Sequence, residues 1–167
     1  QVVVMTDGCQ SHPKSRSHPP EALRRLRAQE VTQALHLLTK GRGPGPVLLD
    51  YPDSPPLGGD IDFAGAVERV LPLITDTTTA LWTTWAGDPH PDHGRTARVA
   101  DRIAQLRPGL ALWSYPVWGW QDRKAKAVAA HASQMTGLIA DDPGGFRMTD
   151  SLQQHFITTP ELFLQKG

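Results

Sequence analysis

Short apolar runs alternate along the chain with stretches in which apolar residues recur every three or four positions. The short runs are rich in β-branched, leucine and tryptophan residues and predict buried strands at 2–6, 47–50, 79–85 and 110–115. The helical spacing predicts helices at about 21–40, 60–74, 95–106 and 123–135, the second of them capped by Asp60. This alternation predicts a Rossmann-like α/β fold, a three-layer sandwich with a mostly parallel sheet and helices on both faces.

A polar loop follows each of the first three predicted strands. The loops contain Asp7 and Gly8 after the first strand, residues 50–53 after the second, and residues 88–93 after the third. In sheets of this kind a ligand binds outside the carboxyl ends of the strands. We therefore expect the three loops to gather on one rim of the sheet and to form the functional site.

The third loop, "DPHPDHGRT" at residues 88–96, places two histidines and two aspartates within six residues. His90 and His93 are three positions apart, so one imidazole can bind a metal while the other faces a substrate. Asp92 can accept a hydrogen bond from an imidazole N–H and so fix its tautomer. A catalytic zinc needs three protein ligands, and this run supplies one. On these residues alone, a metal and proton-transfer site and a polar surface loop both remain open.

Composition narrows the class of partner. Seventeen basic and seventeen acidic residues give a formal net charge of zero, which argues against a nucleic-acid partner. No apolar run approaches the ~20 residues of a membrane span. The single cysteine, Cys9, rules out an internal disulfide and fits a reducing cytoplasm. We predict a cytoplasmic protein without a membrane span, and the sequence does not specify its oligomeric state.

Other reactive or aromatic residues have simple structural explanations. We expect Cys9 to be a small buried thiol, because no base and orienting group accompany it as a nucleophile requires. His12 and His18 lie in a Pro/Ser-rich loop and are expected to be solvated, with a place beside a substrate groove as the alternative. His131 is expected on the last helix as a packing or supporting residue. Three tryptophans in and after the fourth strand are core residues or a sugar-stacking platform: Trp113, Trp118 and Trp120.

Six segments occur in a fixed order along the chain: "VVVMTDG", "LRRLRAQEVTQAL", "LLDYPDS", "DPHPDHGRT", "KAVAAHASQ" and "PELF". Together they resemble the PIG-L (LmbE-like) family of zinc-dependent N-acetylglucosaminyl de-N-acetylases, and bacterial members in particular. The resemblance covers essentially the whole chain and implies a single deacetylase-like α/β domain over residues 1–167. It also implies a metal-dependent hydrolase that removes an acetyl group from an N-acetylglucosaminyl or similar N-acetyl amino-sugar substrate.

The resemblance implies roles for five residues. His93 would be a zinc ligand, and His90 would stabilise the tetrahedral oxyanion or protonate the leaving amine. Asp92 would orient His90. Arg27, in the R-x-x-E segment, and Asp53, after the second strand, would bind the substrate. Whether the native metal is zinc or iron is left open.

The chain departs from the family pattern at its start. The family's first strand ends in A-H-P-D-D-E, which supplies the general base and the other two metal ligands, and no such stretch occurs here. Because the chain begins inside an apolar strand, we expect this segment to lie upstream, and a loop to be missing at 120–121. The alternatives are a truncated or pseudo-enzyme domain that binds a sugar without cleaving it and, less favoured, a nucleotide binder, for which no G-x-G-x-x-G motif is present.

Overall fold

The computed structural model describes residues 1–53, 61–88, 90–115, 121–158 and 163–165. The chain divides into two compact units. The first unit is Gln1–Asp53 with Gly119–Thr159, and the second is Ser54–Trp118 with Pro160–Gly167. That the chain is a single deacetylase-like domain stays a prediction, and the expected gap at 120–121 begins outside the described residues.

Helices and strands alternate for most of the chain, as the apolar pattern predicts. In chain order the elements are β1 (Val3–Thr6), α1 (Pro20–Thr39), β2 (Val47–Tyr51), α2 (Phe63–Val70), β3 (Ala80–Thr84), α3 (Pro91–Leu106), β4 (Ala111–Tyr115), α4 (Gln121–Ala129), α5 (Ala132–Met135), α6 (Asp150–Thr158) and β5 (Leu164–Gln165). Within the described ranges, no helix combines the length and the apolarity needed to cross a membrane.

The strand pairing confirms the parallel arrangement of neighbouring strands. In the first unit β1 runs parallel to β2, and in the second unit β3 runs parallel to β4. The short strand β5 joins β4 in the antiparallel direction. The described strands form two hydrogen-bonded sheets instead of the predicted one, because no described strand pairs with both β1 and β3. The fold is therefore mixed α/β with parallel strands, and the single three-layer sandwich stays a prediction.

Helix α1 buries one face that contains a charged residue. Pro20 occupies the first turn, where its fixed φ and missing N–H are tolerated. The helix ends at Lys40, which adopts the left-handed conformation with φ 54°. Leu23 is fully buried and Glu30 is 4% exposed, whereas Leu38, which the spacing placed inward, is 43% exposed. A buried carboxylate among apolar neighbours requires partners, and those partners lie at α5.

Helix α2 begins and ends at residues that differ from the prediction. Its N-cap is Asp62, whose side chain accepts a hydrogen bond from the backbone N–H of Gly65 at 2.9 Å. The predicted cap, Asp60, lies outside the described residues. The helix ends at Val70 because Pro72 cannot supply the N–H that an α-helix needs, and the chain continues as a 3₁₀ turn.

Helix α3 begins at Pro91, four residues before the predicted start. Proline at the first helical position has a fixed φ that favours the helix, and an acidic residue, Asp92, lies in the positive first turn. His90 is the N-cap. The histidine motif is thus the N-terminus of a helix and not a loop, a geometry that holds its side chains in fixed positions.

From residue 121 onward, the described residues contain more helices than the sequence predicted. The predicted helix over 123–135 is two helices, α4 and α5, and His131 lies between them. The break occurs where the backbone N–H of Ser133 donates to the Glu30 carboxylate at 2.9 Å, so that a side chain satisfies the start of α5. The tail, which was expected to be irregular, contains α6 and β5.

Candidate functional site

The histidine cluster, which we define as Asp88, His90, Asp92 and His93, lies at the junction of β3 and α3 in the second unit. The hydroxyl of Thr84, the last residue of β3, donates to the backbone carbonyl of His93 at 2.8 Å. This bond fixes the first turn of α3 against the end of the strand. The cluster therefore occupies the carboxyl end of a parallel strand, where α/β folds bind their ligands.

His90 is held by the backbone of the helix that it caps. Its Nδ1 accepts a hydrogen bond from the backbone N–H of Asp92 at 3.3 Å, and its side chain is 49% exposed. A neutral ring that accepts at Nδ1 carries its proton at Nε2. Nε2 has no partner among the residues that the structure describes. His90 is thus arranged as a hydrogen-bond donor that solvent or a substrate can reach.

Asp92 was predicted to orient His90 through its carboxylate. The carboxylate oxygen lies 3.9 Å from Nδ1 of His90, which is too long for a hydrogen bond, and the other oxygen lies 2.6 Å from the Arg95 guanidinium. The side chains of Asp92 and Arg95 are 8% and 15% exposed, so this is a buried ion pair. The contact that orients His90 therefore comes from the backbone N–H of Asp92, while the carboxylate anchors α3.

The ring of His93 is contacted by a side chain, that of Asp88, whereas the ring of His90 is contacted by the backbone. Its Nδ1 is buried and lies 2.9 Å from Oδ1 of Asp88, although the approach is too oblique for a well-formed hydrogen bond. A buried ring nitrogen without a partner costs about 1–3 kcal/mol, and a small rotation of the His93 ring toward Asp88 removes that cost. Burial raises the pKa of Asp88, but the His90 backbone N–H and the His93 ring outweigh it, and the net pKa is lowered.

The two imidazole rings of the histidine cluster are neighbours. Their centroids lie 4.9 Å apart with a tilt of 34°. Each ring uses Nδ1 for its contact within the cluster, which leaves Nε2 on both rings for chemistry. One ring presents a donor, and the other, if Asp88 accepts from it, presents a lone pair. A donor can stabilise or protonate a reacting group, and a lone pair can accept a proton or bind a metal.

The first unit contains a second polar group, the arginine cluster, defined as Arg27, Glu30, His131 and Ser133. The guanidinium of Arg27 lies 2.6 Å from Glu30, whose other oxygen accepts the Ser133 N–H. Burial raises the pKa of Glu30, but His131, Ser133 and Arg27 together lower it to about 2. The cluster is closed in its charges, which neutralise each other and join α1 to α5, although Nε of Arg27 is buried without a hydrogen-bond partner among the described residues.

Arg27 and Asp53, the two predicted substrate-binding residues, both contact the loop after β1. The Arg27 side chain is 18% exposed and packs on Gly8, which adopts φ 69° and has no space for a larger side chain. Asp53 accepts the backbone N–H of Gln10 at 2.9 Å. A cavity of about 180 Å³ adjoins this loop, and its charged lining comprises Asp7, Arg24, Arg27, Asp50 and His131. The substrate role of both residues stays a prediction.

Sequence reasoning did not identify a trio formed by two residues of this loop and Asp53. Ligand atoms of Asp7, Cys9 and Asp53 lie within 4.8 Å of one another, so they form a candidate metal-binding group. Asp7 is already paired with Arg24 at 2.8 Å. Burial and the neighbouring Asp7 carboxylate raise the pKa of Cys9 to about 12. Cys9 is therefore a protonated buried thiol, as predicted, and a metal would have to displace its proton.

Two other residues of the sequence analysis have defined surroundings. His12, expected to be solvated, is 4% exposed; its ring occupies the space beside Gly145, and burial lowers its pKa. Trp113 stacks on Trp82 with ring centroids 5.4 Å apart, and Phe163 meets Trp82 edge-on. Trp82 remains 49% exposed. Two further tryptophans that were considered as a platform lie outside the described residues: Trp118 and Trp120.

Comparison with known proteins adds evidence on the fold. No known family and no curated protein matches the chain. Among solved structures, the chain is similar to the N,N'-diacetylchitobiose deacetylase from Pyrococcus horikoshii, with a TM-score of 0.61 and 18% identity. The match covers 91% of this chain and 61% of that chain. At this identity the likeness shows a shared fold, which supports the resemblance found in the sequence at the level of fold.

A second similar structure is a conserved protein from Thermus thermophilus. The two chains are 21% identical, with a TM-score of 0.49, over 66% of this chain and 58% of that chain. A likeness of this strength carries no argument about fold or function.

Proposed function

We propose that the protein is a metal-dependent hydrolase that removes the acetyl group from an N-acetylglucosaminyl or similar N-acetyl amino-sugar substrate. The observation that carries this proposal is the arrangement of the histidine cluster. His90 offers an Nε2–H donor, half exposed, beside the ring of His93. The fold shared with a diacetylchitobiose deacetylase supports the same reaction class.

His90 is the residue that acts on the transition state. Attack of water on the acetamide carbonyl forms a C–O bond and an oxyanion, to which the Nε2–H of His90 donates. Alternatively, His90 transfers this proton to the amine nitrogen as the C–N bond breaks, and the proton released by the water restores Nε2–H. A donor of this kind contributes about 3–4 kcal/mol to transition-state stabilisation. The backbone N–H of Asp92 keeps Nδ1 occupied, and the Asp92–Arg95 pair keeps the helix terminus in place. Acetate and a free amine are the products.

Zinc is the proposed metal, and His93 is the residue that would hold it. When bound, zinc supplies a Lewis acid that polarises the carbonyl and lowers the pKa of water. A catalytic zinc needs three protein ligands, and within the described residues no group of three potential ligands includes His93. The described residues therefore do not complete a zinc site, and the proposed chemistry of this chain rests on His90 and the residues that position it.

The same comparison supports the proposed substrate class. The chain spans 61% of the deacetylase chain, whose name gives N,N'-diacetylchitobiose as its substrate. We propose that Arg27 and Asp53 bind a distal part of the sugar beside the cavity at the loop after β1. Because Arg27 is already paired with Glu30, it would contact the sugar with the small exposed part of its side chain.

The direct test is acetate release. The protein is expressed from its complete reading frame, supplied with zinc, and incubated with N,N'-diacetylchitobiose and with N-acetylglucosamine. We expect acetate and free amine in equal amounts from at least one substrate, and loss of both in His93→Ala. The matched control is His155→Ala, which removes an exposed histidine from α6 and should leave the rate unchanged.

The outcomes separate the proposal from its rival. Sugar binding without acetate release in the zinc-loaded wild type would overturn the hydrolase and support a sugar-binding domain without activity. Neither binding nor release would overturn both. Undiminished release in His93→Ala would remove His93 from the reaction and overturn its role as a metal ligand.

A further inference from the structure

One carboxylate contacts both histidine positions of the histidine cluster. Oδ1 of Asp88 accepts the backbone N–H of His90 at 3.0 Å and lies 2.9 Å from Nδ1 of His93. The Asp88 side chain is only 14% exposed, so water competes weakly for these contacts. Neither the motif nor the resemblance assigned a role to this residue.

The position of Asp88 decides which nitrogen of His93 carries a proton. An ionised carboxylate has no hydrogen to donate, so a close contact with Nδ1 is favourable only when Nδ1 carries the proton. The neutral ring then has its lone pair at Nε2. Which nitrogen of a histidine is available is set by the hydrogen bond that the other nitrogen makes.

The neighbouring ring has the opposite arrangement. Nδ1 of His90 accepts from the backbone N–H of Asp92, which places the proton of the neutral ring at Nε2. The two rings are 4.9 Å apart and belong to the same helix terminus. Opposite tautomers on adjacent rings would let one serve as a ligand or base and the other as a donor.

We infer that Asp88 is a positioning residue that fixes His93 as the Nδ1–H tautomer and thereby makes the functions of the two histidines different. The inference deepens the proposed function, on which its catalytic meaning rests. Through the His90 backbone N–H, the same carboxylate also fixes the start of α3, so that both rings keep their places relative to each other.

Nitrogen NMR on the metal-free protein tests this inference. In ¹⁵N-histidine-labelled protein at about pH 8, where histidines are mostly neutral, long-range proton–nitrogen spectra distinguish protonated from unprotonated ring nitrogens. We expect the wild type to show His93 protonated at Nδ1 and His90 protonated at Nε2. A wild-type His93 protonated at Nε2 would overturn the inference without any variant being made.

Two variants show whether Asp88 is the cause. Asp88→Ala should shift His93 toward the Nε2–H tautomer while His90 keeps its own, because the acceptor at Nδ1 of His93 is removed. Asp88→Asn should restore the wild-type tautomer, because the amide oxygen still accepts. An unchanged His93 in Asp88→Ala, or no restoration in Asp88→Asn, would contradict the inference.

A matched control separates this effect from general damage to the unit. Asp62 caps α2 in the same unit, as Asp88 accepts at the start of α3, but it contacts no histidine in the part of the chain that the structure describes. Asp62→Ala should leave both tautomers unchanged, and a shift there would attribute the Asp88 effect to loss of packing. The spectra need neither zinc nor substrate, so absence of acetate release would overturn the proposed function and leave this result standing.

Discussion

The two polar clusters of the protein contain the same kinds of residue and use them in opposite ways. In the arginine cluster, Arg27 and Glu30 neutralise each other in a site where Glu30 is 4% exposed. In the histidine cluster, the carboxylates hold the helix terminus while His90 stays half exposed with Nε2 available. A closed cluster stabilises the fold, whereas an open one has a group left over for a substrate.

This difference shows that the two motifs have different contacts in the structure, which the sequence motifs alone do not reveal. The R-x-x-E segment and the histidine motif are both marks of the family resemblance. In the structure, Arg27 and Glu30 connect α1 to α5, which is a structural task. We therefore expect changes at Glu30 to act mainly on stability and changes in the histidine cluster to act mainly on catalysis, while substrate binding by Arg27 stays a proposal.

The largest expected effect is on the closed cluster. Glu30→Ala leaves the Arg27 guanidinium buried without its partner and removes the acceptor of the Ser133 N–H. We expect the free energy of unfolding to fall by about 3–5 kcal/mol, the usual cost of breaking a buried pair. Chemical denaturation measures it. Glu21→Ala is the control on the same helix: Glu21 is 62% exposed and its surface bridges should contribute under about 1 kcal/mol.

The next largest expected effect is on the pH dependence of the free energy of unfolding. The pKa of Glu30 is lowered from 4.5 to about 2 in the folded protein, so its contribution is complete above pH 4.5 and is lost as the pH falls toward 2. The contribution is on the order of 3 kcal/mol. We expect the difference in unfolding free energy between wild type and Glu30→Gln to shrink over this range. A constant difference from pH 6 to about 2 would show that the pKa of Glu30 is the same in the folded and unfolded protein, which would contradict the lowered pKa.

The smallest expected effect is a loss of stability in the unit that contains the histidine cluster. Asp62→Ala removes the N-cap of α2, and we expect a loss of about 1 kcal/mol in stability with kcat unchanged. Thermal unfolding beside acetate-release kinetics provides both numbers. A large fall in kcat would mean that any destabilisation of this unit reduces activity. Effects on stability and effects on catalysis could then not be assigned to different clusters.

The sequence predicted the strands well because their signal is local. Runs such as "VVVM" and "TALWTTW" have no helical spacing, and the structure has β1 and β3 there. Helix ends were predicted less well, since they depend on single contacts. The start of α3 at Pro91 was missed because residues 88–93 were predicted as a loop, although proline is also a favoured first residue of a helix.

The candidate site was only partly predictable for a related reason. His90, Asp92 and His93 could be selected from their spacing and from the family resemblance. The partners that define their chemistry could not: the Arg95 pairing of Asp92 and the Asp88 contact of His93 depend on how the first turn of α3 folds. The burial of Glu30 among apolar neighbours likewise depends on α5, which lies about one hundred residues further along the chain.

The central claim is that His90 acts on the reaction and not on the fold, and His90→Asn tests it most directly. Asparagine is a strong N-cap and keeps an acceptor for the Asp92 N–H, but it lacks the imidazole Nε2–H. The measurement is kcat for acetate release together with the free energy of unfolding. We predict a fall in kcat of about 10²–10³ with stability within about 0.5 kcal/mol of wild type. A variant that keeps the wild-type kcat, or loses activity only because it unfolds, would contradict the account.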